Sequence, residues 1–97
     1  MLNKVKLALR ITTDAFDDEL NDLIAAALAD LGLAGVINEG GPETTDPLII
    51  RAVVTFCRTN FGQPDDYDRL KAAFDEQKAQ LQTATGYTDW GDENGQI

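Results

Sequence analysis

Apolar positions recur along this chain at helical rather than strand spacing, in four stretches divided by turn-forming residues. In the first, Leu2, Val5 and Leu9 share one face, with Lys4 and Lys6 turned elsewhere, which predicts a short helix over residues 2–9. A helix below ~12 residues is marginal alone in water, so this one needs a surface to pack on. Phe16, Leu20, Leu23, Ile24, Ala27, Leu28 and Leu31 then form a continuous apolar stripe, predicting a helix over residues 14–31. Asp14 is expected to cap it, with Asp17, Asp18 and Glu19 at the positive end of the helix dipole and Gly32 as the terminator. Residues 32–46 read as a loop, anchored by Leu33, Val36 and Ile37 and punctuated by Gly35, Gly40, Gly41 and Pro42.

Asp46-Pro47 predicts a restart, the acid as cap and the proline at the first helical position, where its missing N–H costs nothing. The helix over residues 47–61 is apolar around most of its circumference, with Arg51, Thr55, Arg58 and Thr59 as its polar strip. Such a helix belongs at the centre of a bundle or of an assembly. After Gly62-Gln63-Pro64, a last helix is predicted over residues 65–83, capped by Asp65 or Asp66. Its narrow seam is Tyr67, Leu70, Phe74 and Leu81, and Asp68–Lys71 and Asp75–Lys78 are spaced to pair. The fold class that follows is all-α: a small bundle of three main helices plus the short N-terminal one, in a single domain over residues 1–83. Residues 84–97 are rich in Gly, Asp and Thr and are expected to form a flexible tail holding Tyr87, Trp90 and Ile97. The stripes exceed what a lone three-helix bundle can hide, so Leu2, Val5, Ile49, Val53 and Phe61 are not all expected to be sequestered within one subunit.

Charge sharpens this picture. The 97 residues carry 17 acids against 8 Lys and Arg, a net charge of -9. Phosphate backbones are gripped by cations, so nucleic acid is not an expected ligand. The imbalance is uneven. Lys4, Lys6 and Arg10 make the first ten residues basic, whereas residues 11–50 contain nine acids and no Lys or Arg. Either these are ordinary solvated faces, or one copy's basic start meets another copy's acidic segment around Asp17, Asp18 and Glu19. The longest apolar run, residues 23–29, is too short to span a bilayer, and residues 1–14 lack the apolar run of a signal peptide. With one cysteine, the chain reads as soluble and intracellular.

Catalytic chemistry finds little to stand on. The absence of histidine removes His-based metal sites and triads, and a lone Cys57 on an apolar helix side has no base to activate it. The carboxylates of Asp17-Asp18-Glu19 sit where a helix dipole keeps them ionised, the opposite of what a general acid needs. Asp89-Trp90-Gly91-Asp92-Glu93 lacks the spacing of a calcium loop, and no Lys-Ser/Thr follows the glycines of the long loop as a phosphate loop requires. No enzyme activity, metal or cofactor is expected.

The order of motifs is more specific than any one of them. L-x-x-V-K-x-x-L-R-I-T opens the chain; Asp17-Asp18-Glu19-Leu20 leads into L-I-x-A-A-x-x-D-L; Asp46-Pro47-Leu48-Ile49 restarts it; Asn60-Phe61-Gly62 stops it before an acidic last helix. Over residues 2–83 this closely resembles the head–tail connector, DNA-packaging or head-completion adaptor proteins of tailed bacteriophages. The resemblance implies a structural virion protein at the head–tail junction, made in the host cytoplasm during assembly. It implies a homo-oligomeric ring of about a dozen copies, closed by a head-to-tail interface. Its partners would be the portal protein and the next connector or tail-completion protein, with DNA passing through without sequence-specific binding and no membrane. Lys4, Lys6, Arg10, Asp17, Asp18 and Glu19 are the candidate subunit interface, and Tyr87, Trp90 and Ile97 the candidate portal-docking residues, since aromatics bury large areas at interfaces. The alternative is a free-standing acidic helical protein-binding module, a regulator or a DNA-mimic inhibitor.

Overall fold

Each predicted helix forms, and the differences lie at the ends. A computed structural model describes residues 1–38, 40–62 and 65–83. Among these it contains helices α1 (Leu2–Leu9), α2 (Asp17–Leu33), α3 (Pro47–Asn60) and α4 (Tyr67–Thr83), one 3-10 turn at Gly41–Glu43, and no strand. Residues 84–97, with Tyr87, Trp90 and Ile97, lie outside the described residues.

α3 starts as its sequence demands. Asp46 Oδ1 accepts from the Leu48 N–H at 2.9 Å and the Ile49 N–H at 3.4 Å, with Pro47 at the first position. α2 starts three residues later than the acid at position 14 suggests. Asp14 does not cap it: Phe16 holds the cap position without a side-chain bond, while Thr13 Oγ1 accepts from the Ala15 N–H. Asp14 is drawn off by Lys6 instead. Nor does Gly32 end α2. The helix runs on through Leu33, and Gly35 takes the left-handed conformation at φ 90°. There the Val36 N–H reaches Leu31 O at 2.9 Å and the Gly35 N–H reaches Gly32 O at 3.0 Å, the pair of hydrogen bonds that closes a helix with glycine just past its end. α1 closes the same way, with Ile11 N–H on Lys6 O, but there Arg10 supplies the left-handed residue at φ 61°.

α3 is the hub, packing against α1, α2 and α4. The core consists of Val5, Leu20, Ile24, Ala27, Leu31, Val36, Ile49, Ala52, Val53, Cys57, Phe74 and Leu81. Thr59 is buried rather than part of a polar strip, its hydroxyl donating to Thr55 O at 2.7 Å. α2 and α4 meet at their C-terminal turns. Lys78 Nζ donates to Asp30 Oδ1 at 2.9 Å and Gln82 Nε2 to Ala34 O at 2.9 Å, contacts of equal sequence offset, so the two segments run side by side in the same direction. Asp75 therefore pairs with Lys71 one turn back, and Lys78 with Asp30 across the bundle.

The surplus apolar surface is real but sits on other residues than expected. Val5, Ile49 and Val53 are fully inside the subunit, and Leu2 and Phe61 are half-buried against the core. Leu7 and Leu33 stand out instead, at 80% and 91% exposure, with Leu48 half exposed. Of the three residues expected to anchor the long loop, Val36 alone is buried.

Candidate assembly surfaces

The basic start of the chain divides into two sets of cations with different employment. Lys6 points from α1 toward the entrance of α2, where its ammonium lies 2.9 Å from Asp14 Oδ1 and 2.8 Å from Asp17 Oδ1. Bonding to Asp17 and then Asp14 holds the lysine above its usual pKa, and bonding to Lys6 holds the Asp14 carboxyl below its own. Lys6 and Asp17 thus meet within one subunit. Arg58 is also used internally, its Nη2 donating to Ala8 O at 3.1 Å and satisfying one of the open carbonyls at the C-terminus of α1.

Lys4 and Arg10 have no such partner among the described residues. Helical spacing places Asn3, Lys4 and Leu7 on the side of α1 opposite buried Val5, with Arg10 just beyond the last turn, and all four are exposed. The outward face of α1 is therefore one bare leucine between two unpaired cations. A left-handed arginine costs about 1–2 kcal/mol of steric strain that glycine would avoid, so Arg10 closes α1 at some cost to the fold.

α2 presents the complementary pattern. Leu20, Ile24, Ala27 and Leu31 face the core, which leaves Asp18, Asp22, Ala25, Ala29 and Leu33 along the opposite side, flanked by Glu19 and Ala26. The N-terminal half of this face is acidic and the C-terminal half is small and apolar, so another helix can approach it closely. Of the residues singled out from sequence, the structure puts Lys4 and Arg10 on one free face and Asp18 and Glu19 on another. Leu7, Asp22 and Leu33 were missed as surface residues. Their angular offset from the buried stripes is the signal that would have found them.

Two grooves lie along α3 and α4, the first of them reaching α2 as well. One, of about 200 Å³, is bordered by Asp30, Phe56, Tyr67, Lys71, Phe74 and Lys78; the other, of about 190 Å³, by Leu48, Arg51, Gln77, Gln80 and Leu81. In the first, Phe56 and Phe74 meet edge to face at 5.2 Å and Lys78 Nζ stands 5.4 Å from the centre of the Phe74 ring. Each cation of that groove is already paired with a carboxylate.

Cys57 lies in the core, and burial pushes its thiol up to about 12. It is expected to resist thiol–disulfide exchange in the folded protein and to react at an ordinary thiol rate once urea unfolds the chain. Equal rates in both states, measured with a chromogenic disulfide, would contradict this burial. Among the described residues no three His, Cys, Asp or Glu side chains are placed to hold a metal ion, and no helix is long and apolar enough to cross a membrane.

Neither a curated protein nor a solved structure matches the chain. A family model does, over residues 1–88, a span that takes in α1 to α4 with both outward faces, and its description is phage connector protein. An all-α fold is in keeping with that match, and the chain belongs to the phage connector protein family, structural proteins of the virion head–tail junction.

Proposed function

We propose that the chain is the subunit of a ring of about a dozen copies, an adaptor between portal and tail that extends the DNA channel and completes the head after packaging. The observation that carries this reading is the pair of unlike free faces on one subunit. α1 offers Leu7 between Lys4 and Arg10, and α2 offers Asp18, Glu19 and Asp22 beside Ala25, Ala26 and Ala29. Two different patches that fit each other on successive copies build head to tail, and such an interface closes into a ring when its rotation permits. Lys6 and Asp17 are half-buried and engaged with each other in one subunit, so the proposed interface centres on Leu7 and Asp22 instead.

The net charge of -9 suits a channel. Walls that do not bind phosphates let a duplex slide, whereas each cation–phosphate contact would add friction. Tyr87, Trp90 and Ile97 are assigned to docking on the portal, as large anchor side chains within an acidic segment. Negative-stain imaging of the purified chain, alone at high concentration and mixed with portal, tests the reading. Annular particles are expected in the mixture; small globules that persist in both samples would overturn it.

A further inference from the structure

The 190 Å³ notch between α3 and α4 combines two unmet needs. Leu81 lies buried at its base and Leu48 stands half exposed on its rim, so apolar surface is open to water. Arg51 is exposed beside them, and among the described residues it has no acidic partner. An occupant that answers both is an apolar ring with flanking carboxylates.

The chain itself carries such a group. Trp90 is its single tryptophan; Asp89, Asp92 and Glu93 surround it, and residues 84–97 contain no Lys or Arg. Reach is sufficient. Trp90 lies seven residues past Thr83, a span of up to about 24 Å when extended. The helix from Thr83 back to Gln77 covers only about 9 Å, and Gly86 permits the chain to reverse.

We propose that this notch is the seat of Trp90 of the same chain, with the indole packed between Leu48 and Leu81 and Asp89 and Asp92 against Arg51. This concerns the single subunit and is independent of the ring. The notch then competes with the portal for the segment, holding it until the portal is present.

Fluorescence of the full chain reads this directly, because Trp90 is the only indole. In dilute protein the emission is expected to be blue-shifted, and acrylamide quenching several-fold weaker than for a free indole. Leu48→Asp and Arg51→Glu, both at exposed positions, should each shift emission to the red and raise quenching several-fold while the helical circular dichroism stays unchanged. An acid at position 48 suits the first turn of α3, so folding is spared. Emission of a fully exposed indole in the parent chain would overturn the proposal, as would protection that survives both substitutions. Protection that appears only as concentration rises would place a neighbouring copy's tail in the notch and overturn it too. Loss of ring formation in the imaging experiment, by contrast, leaves these results unaffected.

Discussion

Phe74→Ala is expected to remove about 3–5 kcal/mol of stability, the range for deleting a buried phenylalanine ring. A domain of this size has about 5–15 kcal/mol in total, so the variant stands near the edge of folding at room temperature. The size of the effect follows from how α4 is attached. Its outer surface is charged, and Phe74 and Leu81 are its two buried apolar side chains. Phe74 is only 5% exposed, meets Phe56 edge to face, and carries the Lys78 ammonium over its ring while that ammonium reaches Asp30 on α2. Removing the ring opens a cavity on α3 and slackens the one lysine that ties α4 to α2. Tyr67, on the same seam but 44% exposed, is the internal control, and its alanine variant should lose no more than about 1 kcal/mol. Urea denaturation followed by circular dichroism separates the two. Similar midpoints for both variants would show that α4 is not held at Phe74.

The contrast between these two positions also marks what sequence could convey. Near-heptad spacing put Tyr67, Leu70, Phe74 and Leu81 on one seam, and period alone cannot say how far a seam extends under its neighbour. The α3 entrance was fully legible, because Asp46 and Pro47 act on their own backbone within three residues. The entrance of α2 was not. Asp14 has the chemistry of a cap, yet Lys6 eight residues upstream takes its carboxylate, and that competition depends on α1 folding back beside α2. Gly32 and Gly35 pose a similar choice. A side chain at Gly32 would meet nothing within 4 Å, so nothing forces the helix to stop there, whereas Gly35 supplies the left-handed turn that lets Val36 enter the core.

The candidate interface was legible to the same degree and for the same reason. Composition along the chain located the basic start and the acidic segment, which is one-dimensional information. Which cations are free is three-dimensional. Five of the eight Lys and Arg residues find partners in the subunit: Lys6, Arg69, Lys71 and Lys78 on carboxylates, and Arg58 on a carbonyl. Among the described residues that leaves Lys4, Arg10 and Arg51, and these are the ones assigned here to contacts beyond the folded helices.

Reversing the charge of Lys4 and Arg10 together is expected to abolish assembly while leaving the subunit folded. Both side chains are exposed and unpaired among the described residues, so their loss should alter stability by no more than about 0.5 kcal/mol. In the proposed ring each faces Asp18, Glu19 or Asp22 of the next copy, and like charges set against each other at an interface cost several kcal/mol. Because the contact repeats around the ring, that penalty falls on every junction. The reciprocal change, Asp18→Lys with Asp22→Lys, should fail in the same way, and a chain carrying all four substitutions should assemble again, since the attraction is restored with its sign exchanged. Lys6→Glu behaves differently. It faces Asp14 and Asp17 of its own subunit, so it weakens the fold and lowers the unfolding midpoint, with assembly affected only through that loss. Light scattering of chain and portal together gives the mass of the assembly, and urea denaturation gives the stability of each subunit. Unchanged mass after Lys4 and Arg10 reversal, or no rescue in the four-substitution chain, would remove the α1 and α2 faces from the interface. Rescue that weakens as salt rises would assign the contact to charges close enough to water to be screened, as rim positions on either side of a leucine should be.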